Sequence, residues 1–168
     1  MTLAAHNRDT SLIRKAFARY PSGVVALAAR GDAGPVAMVA SSFAVGVSLD
    51  PPLVLFSARN ESRTWPLLRR SPRIGISLLG ADQAGLCRRL AGADAETRFQ
   101  DDVLTLTEDG AVLFSGASLW LDCSVYGEMP AGDHRVVLLE VHTLWHDEAA
   151  EDPLVFHGSA FRRLQRTA

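Results

Sequence analysis

Small polar residues interrupt an otherwise apolar stretch of the chain, residues 37–56, which reads AMVASSFAVGVSLDPPLVLF. Ala40, Ser41 and Ser42 have short side chains, so the backbone amides and carbonyls beside them stay open to a ligand. A flavin ring is flat, accepts hydrogen bonds at several ring atoms and donates one from N3, so its site needs such a backbone surface. An ordinary turn between two strands would explain the same residues. The local sequence leaves both interpretations open.

A second candidate group is the segment from Asn60 to Thr64, which reads NESRT and combines hydroxyls, amides and a guanidinium at the start of a predicted helix. A flavin phosphate needs this combination, and the positive end of a helix dipole also favours an anion. The alternative is that Asn60 or Ser62 only caps the helix.

A third candidate lies in GEMPAGDHRVV, residues 127–137, between two long β-type runs. Gly132 and Asp133 are common turn residues, so the segment can be a simple hairpin connection. A turn does not require His134, however, whereas an imidazole beside a glycine suits a flat ring with a carboxamide, such as nicotinamide. Because Asp133 and His134 are neighbours, we expect their side chains to diverge and not to form a base and its orienting acid.

Other patterns that resemble metal or catalytic sites do not hold. His142 and His146 are four residues apart, but their segment reads as a strand, where four residues span about 13 Å, too far to share one ion. The chain has no Gly-x-Ser-x-Gly elbow, no phosphate-binding loop ending in Lys-Ser or Lys-Thr, and no Gly-x-Gly-x-x-Gly after a strand. We therefore predict no metal site, no Rossmann domain and no hydrolase.

Composition predicts one globular domain over residues 1–168, with residues 1–9 as a flexible tail. The chain has 168 residues, of which 48% are hydrophobic, and a formal net charge of -2. Nucleic acid and anionic lipid are therefore not expected partners. No apolar run approaches about 20 residues and the N-terminus lacks a signal-peptide pattern, so we expect a cytoplasmic protein without a membrane segment. Cys87 and Cys123 are expected to be reduced core residues.

The elements that must position these candidates are mostly strands. One helix, capped by Asp9 or Thr10, is predicted first, with apolar residues at spacings of three and four. The β-type runs are GVVALAAR, PVAMVA, LVLFS, RIGISLL, ASLWLDCSVY and HRVVLLEVHTLW. Two short helical segments, near SRTWPLLRR and DQAGLCRRLAG, read as caps over the sheet. So many strands with so few helices predict a small, closed or nearly closed antiparallel barrel.

The order of these motifs resembles the flavin reductase-like family, whose FMN-binding split barrels supply reduced flavin to two-component monooxygenases. The resemblance runs from Phe17 to about Leu164. Its motifs are FARYPSGV at 17–24, ASSF at 40–43, SLDPPLV at 48–54, NESRT at 60–64, Arg98-Phe99, GDH at 132–134 and PLVFHG at 153–158. The chain departs from the family pattern at Met38, where a small polar residue is frequent, and at His157, where an aromatic-Arg pair is more usual.

The resemblance implies a mainly β, Greek-key split barrel of about six strands with a few short helices, forming a homodimer with the flavin near the dimer interface. It implies that FMN or FAD contacts Met38, Val39, Ala40, Ser41, Ser42, Ser57, Asn60, Ser62, Arg63 and Thr64. NADH or NADPH would contact Gly132, Asp133, His134 and Phe161, with His134 as the catalytic residue. Hydride would pass from the nicotinamide C4 to the flavin N5, and the reduced flavin would leave for a monooxygenase partner.

Two other functions stay open on the same barrel. The chain could retain its flavin permanently and act as an oxidase or electron carrier, or it could be a subunit scaffold that binds no flavin. The GDH segment favours the reductase. Apolar and aromatic side chains also favour a dimer unless all of them belong to the core, namely Trp120, Trp145, Phe156 and Phe161.

Overall fold

The computed structural model of the protein describes residues 5, 7, 9–92, 98–99, 103–149 and 152–164. Within these residues the helices are α1 (Thr10–Phe17), α2 (Trp65–Leu68) and α3 (Ala84–Ala91). The strands are β1 (Ser22–Gly23), β2 (Val25–Gly31), β3 (Gly34–Ala40), β4 (Ala44–Leu49), β5 (Pro52–Arg59), β6 (Ile74–Leu78), β7 (Leu104–Leu106), β8 (Val112–Phe114), β9 (Leu119–Ala131), β10 (His134–His146), β11 (Val155–His157) and β12 (Ala160–Arg162). None of the three helices has the length and apolar character that a membrane crossing requires. Most of the predicted tail, residues 1–9, lies outside the described residues.

The first helix begins where the sequence predicted. The Asp9 carboxylate accepts hydrogen bonds from the backbone N–H of Ser11 at 2.8 Å and of Leu12 at 3.2 Å. These bonds satisfy two of the donors that a helix start leaves unpaired. Asp9 is therefore the N-cap of α1, and the helix ends before the predicted stop at Pro21.

One seven-stranded sheet forms the body of the domain, in the order β3-β2-β6-β9-β10-β5-β4, and every pairing in it is antiparallel. Six of its strands match the predicted β-type runs. The seventh, β4, was not among the predicted runs; its pairing with β5 is irregular between Ala44 and Ser48, where Gly46 has a φ of +70°. The turn between β4 and β5 is Asp50-Pro51.

The two edge strands of this sheet, β3 and β4, are joined by only three residues, Ser41, Ser42 and Phe43, which we call the bridge. A flat sheet of seven strands would separate its edges by about 29 Å, from a strand spacing of about 4.8 Å. The extended chain from Ala40 to Ala44 spans at most about 14 Å. The sheet must therefore roll up, which confirms the barrel, and the bridge crosses the opening between its edges.

Apolar side chains fill the barrel and also cover its outside. Inside, Leu27, Phe56 and Leu139 are fully buried in one cluster. A second cluster lies under α3, where Leu86 and Leu90 are buried as predicted. Strand β2 contributes alternate residues to both clusters, which explains why its residues 25–29 are all buried. Two smaller sheets, β1-β11-β12 and β7-β8, lie outside the main sheet.

The two cysteines and two histidines discussed above lie within this β framework. Cys87 and Cys123 are buried free thiols, as predicted. His142 and His146 both lie on β10, which confirms that their segment is a strand. The His142 Nε2 atom lies 2.8 Å from the Ser124 hydroxyl on the neighbouring strand β9.

Candidate functional site

A cavity of about 460 Å³ lies where the bridge meets the ends of β3 and β5 and the start of β10. Its lining residues are Met38, Val39, Ala40, Ser41, Ser42, Ser57, Arg59, Glu61, Ser62 and His134. All except Arg59 and Glu61 were predicted from the sequence as ligand-binding residues. The fold thus brings together three segments that are far apart in the chain.

Edge strand β3 supplies one wall of the cavity. Met38 and Val39 direct their side chains into the two apolar clusters, and Ala40 is nearly buried. Because β3 pairs only with β2 in the described sheet, every second residue has backbone groups that face away from the ladder. This wall therefore offers backbone donors and acceptors with little side chain in front of them.

Ser42 attaches the bridge to β5. The Ser57 backbone N–H donates to Ser42 Oγ at 3.0 Å, and the Ser42 hydroxyl donates to the Ser57 carbonyl at 3.3 Å. One side chain thus makes both bonds that a strand partner would make at this position. Ser42 fixes the shape of the site, while Ser41 stays exposed beside it.

The segment 60–64 is held from two sides. Asn60 donates from Nδ2 to the Gly132 carbonyl at 3.1 Å and from its backbone N–H to the Asp133 carbonyl at 3.0 Å. The N-cap residue of α2 is Thr64, which makes no side-chain capping bond, so neither Asn60 nor Ser62 is the N-cap. Ser62 Oγ accepts from the Trp65 N–H at 3.1 Å, and Asn60 bonds the β9–β10 turn. The expected helix dipole is small here, because α2 has only four residues. Asn60 and Thr64 do not line the cavity.

His134 lies at the start of β10 and is oriented by its neighbour. Its Nδ1 atom is 2.7 Å from Asp133 Oδ1, so the expectation that these two side chains diverge was wrong. The chain is not extended there, because Gly132 has a φ of +65° and turns it sharply. The hydrogen bond from His134 lowers the pKa of Asp133, which favours the carboxylate as the acceptor of a hydrogen bond from the Nδ1–H. In the tautomer that carries its hydrogen on Nδ1 alone, Nε2 is an acceptor.

Arg59 and Glu61 are the lining residues that sequence analysis missed. Arg59 is the last residue of β5 and pairs with His134 across the ladder. Its Nη2 atom lies 3.2 Å from Glu61 Oε2, and both side chains are largely exposed. The alternation of β5 was the available signal, because Ser57 and Arg59 lie on one face of the strand and the buried Phe56 and Ala58 on the other.

Residues 17–165 match the family described as "Flavin reductase like domain". The chain belongs to this family. The matched range agrees with the resemblance noted from the motifs, which began at Phe17 and ended near Leu164.

Named relatives of this flavin reductase-like chain cover most of its length. An NADH-dependent flavin reductase of a Rhodococcus species is 38% identical over 156 residues, which are 91% of this chain and 85% of the relative. The reductase subunit HsaB of a flavin-dependent monooxygenase from Rhodococcus jostii is 29% identical over 97% of this chain and 82% of its own. The solved structure of the NADH:FAD oxidoreductase SgcE6 of Streptomyces globisporus, in complex with NAD and FAD fragments, superimposes with a TM-score of 0.90 at 32% identity, covering 99% of both chains.

A larger cavity of about 770 Å³ adjoins the first in this flavin reductase-like domain, and the two share Ser41 and Ser42. Its aromatic lining residues are Phe17, Tyr20, Phe43 and Phe156. Phe17 and Tyr20 are two of the apolar residues whose spacing predicted the first helix, but α1 ends at Phe17.

Phe161 does not line either cavity. Its ring packs against Phe156 at a centroid distance of 5.8 Å, and the Arg88 guanidinium lies 5.2 Å from its ring centroid. Gly132 and Asp133 are likewise absent from the lining and act in this structure through Asn60 and His134. Of the four predicted nicotinamide residues, only His134 faces the cavity.

Proposed function

We propose that this protein is a cytoplasmic NAD(P)H-dependent flavin reductase that uses FMN or FAD and releases the reduced flavin to a partner monooxygenase. The observation that carries the proposal is the cavity between the bridge, β5 and His134, which has a backbone wall on one side and an oriented imidazole on the other. Membership of the family and the names of the relatives support the same activity.

The residues present suit a flavin. The cavity of about 460 Å³ lies within the range typical of small-molecule sites, about 300–1,000 Å³. Residues 38–42 and Ser57 offer a flat, polar backbone surface for the ring. Of the loop residues 60–64 that were predicted to bind the phosphate, Ser62 lines the cavity and offers a hydroxyl donor.

When flavin and nicotinamide are both bound, hydride passes from the nicotinamide C4 to the flavin N5. The chain contributes orientation, which in well-ordered systems is worth about 7–11 kcal/mol of the barrier. His134 is held by Asp133, so its Nε2 can accept a hydrogen bond from the nicotinamide carboxamide. This hydride transfer requires no side-chain nucleophile.

The alternative is an oxidase or electron carrier that retains its flavin. The cavity walls argue against retention, because Ser41, Ser42, Arg59 and Glu61 are all exposed and leave the ligand open to solvent. The relatives named as reductases also favour flavin exchange. We therefore assign the flavin the role of a substrate.

A second copy of this chain is the proposed partner for edge strand β4. Its alternate residues Val45, Val47 and Leu49 are exposed by 64%, 41% and 86%, and Val45 borders an apolar cavity of about 230 Å³. Of the four aromatic residues that favoured a dimer, Trp120, Phe156 and Phe161 pack largely within the chain. Only Trp145 is exposed, so the apolar surface on β4 is the stronger support for a homodimer.

The function is tested by mixing NADH or NADPH with an excess of FMN, FAD or riboflavin and a catalytic amount of the protein. The assay measures the loss of the absorbance of the reduced nicotinamide. We expect many equivalents of free flavin to be reduced per protein. Reduction of a single equivalent that stays with the protein during gel filtration would support the retained-flavin alternative instead. No reduction with any pair of substrates would refute both.

A further inference from the structure

Two arginines lie close to the proposed flavin site, and the structure distinguishes between them. We infer that Arg59, rather than Arg63, binds the 5′-phosphate of the flavin, and that this phosphate takes the place of the Glu61 carboxylate at the Arg59 guanidinium. The inference rests on the proposed function and names the residue that makes the site selective for phosphorylated flavins.

Strand alternation directs Arg59 into the site. Phe56 and Ala58 are fully buried in the barrel, so Ser57 and Arg59 lie on the opposite face of β5. That face lines the cavity. Arg59 is also the ladder partner of His134, which lines the same cavity from β10. The direction of Arg59 is therefore set by two paired strands.

Arg63 is placed differently. It lies between Ser62 and Thr64, both of which are partly buried, while Arg63 itself is exposed. It does not line the cavity, and no ion pair or hydrogen bond joins its side chain to a residue in the described part of the chain. Nothing in the fold aims its guanidinium at the flavin.

Glu61 currently holds the position that a phosphate would take. Its Oε2 atom lies 3.2 Å from Arg59 Nη2, in a pair whose side chains are 60% exposed for Arg59 and 86% exposed for Glu61. Such an exposed pair contributes little to stability and is easily exchanged. A phosphate monoester carries up to about two negative charges and three acceptor oxygens, and an arginine can bind it through two parallel hydrogen bonds. The exchange of Glu61 for phosphate is therefore favourable.

Ser62 can complete the phosphate site. Its Oγ accepts from the Trp65 N–H at 3.1 Å, which orients the hydroxyl and leaves its hydrogen available to donate. Ser62 lines the cavity together with Arg59 and Glu61. One charged donor and one neutral donor thus lie on the same side of the cavity.

The test measures the Kd of FMN and of riboflavin by quenching of flavin fluorescence, for the wild type and for Arg59→Ala, Arg63→Ala and Arg70→Ala. Arg70 is the matched control, an exposed arginine that lines a separate cavity near the β2–β3 turn. We expect Arg59→Ala to raise the FMN Kd by about 10- to 100-fold, the loss of a charge-assisted bond. Its riboflavin Kd, and both Kd values of the other two variants, should change by less than about threefold.

Glu61→Gln tests the exchange itself. Removal of the competing carboxylate should lower the FMN Kd by about two- to fivefold, because this factor corresponds to the small contribution of an exposed ion pair. The gain should vanish when Arg59→Ala is combined with Glu61→Gln, because the two changes act on one interaction. Weaker FMN binding by Glu61→Gln alone would overturn the exchange.

Three results would overturn the assignment of Arg59. One is an equal loss of FMN and riboflavin binding in Arg59→Ala. A thermal melt of this variant, and the milder variant Arg59→Gln, show whether such a loss comes from misfolding. Another is a loss of FMN binding confined to Arg63→Ala. The third is a raised KM for NADH, measured with riboflavin as acceptor, without a change in the FMN Kd, because Arg59 would then bind the dinucleotide diphosphate. A wild type that binds FMN but reduces no flavin would refute the proposed function and leave these Kd values as the test of Arg59.

Discussion

Replacement of Ser42 by alanine would detach the bridge from β5. The variant loses both hydrogen bonds to the Ser57 backbone, one at 3.0 Å and one at 3.3 Å. A typical intramolecular hydrogen bond contributes about 0.5–1.5 kcal/mol net. Since Ser57 is only partly buried, water can replace part of the loss. We expect the free energy of unfolding to fall by about 1–2 kcal/mol.

Thermal unfolding followed by circular dichroism measures this change. In a domain of this size, 1 kcal/mol shifts Tm by about 2–4 °C, so Ser42→Ala should lower Tm by about 2–8 °C. Ser41→Ala is the matched control, because it removes the same atom from the neighbouring residue. Its hydroxyl is exposed and bonds no residue in the described part of the chain. Its Tm should change by less than about 1.5 °C.

Flavin binding provides the second readout. The bridge lies on the side of the proposed site that would hold the flavin ring. A loosened bridge should therefore raise the Kd of FMN and the Kd of riboflavin by the same factor. Equal destabilisation by Ser41→Ala and Ser42→Ala would refute the reasoning, because it would show that the two bonds to Ser57 do not hold the bridge. An unchanged Tm in Ser42→Ala would refute it too.

The remaining predictions concern the nicotinamide, the dimer and the thiols. His134→Ala should raise the nicotinamide KM and lower kcat/KM about tenfold, the loss of about 1.4 kcal/mol for one hydrogen bond. A fall in flavin affinity with an unchanged KM would instead place His134 at the flavin. Val45→Asp should shift the mass measured by sedimentation towards that of the monomer. Val103→Asp is the control, because Val103 is a similarly exposed valine that does not lie on β4, and it should not shift the mass. A concentration-independent monomer in the wild type would exclude the dimer. Burial raises the pKa of Cys123 to about 12, so this thiol stays protonated at lower pH. It should react with a thiol reagent at about pH 8 only after unfolding, and fast labelling of the native protein would contradict its burial.

The sequence was sufficient for the features that depend on local pattern. The Asp9 cap and α1 followed from capping chemistry and helical spacing, and the six main strands followed from apolar β-type runs bounded by Gly, Pro or Asp. Residues 40–42 were noticed because their short side chains leave the backbone open, and His134 because a turn does not require an imidazole. Strand β4 was not predicted, although its apolar residues Val45, Val47 and Leu49 alternate as in a strand, and its pairing with β5 is irregular between Ala44 and Ser48.

Other parts of the site depend on register and turn geometry, which local patterns do not contain. Arg59 looked like an ordinary charged strand end until its pairing with His134 placed it in the cavity. The contact between Asp133 and His134 depends on the positive φ of Gly132, so a rule for extended chains gave the wrong result. Phe161 was assigned from the family resemblance alone, and the structure packs it against Phe156.

The unpaired side of β3 has a consequence for solubility. The backbone groups that make this edge a good surface for a flat polar ring are the same groups that a foreign strand would use to extend the sheet. Proline at position 35, near the start of β3, removes one of these donors and blunts that end, but the stretch from Met38 to Ala40 has no such protection. In a protein that releases its flavin after each turnover, this stretch is uncovered until the next flavin binds. Free flavin would then reduce edge-to-edge aggregation in addition to serving as a substrate.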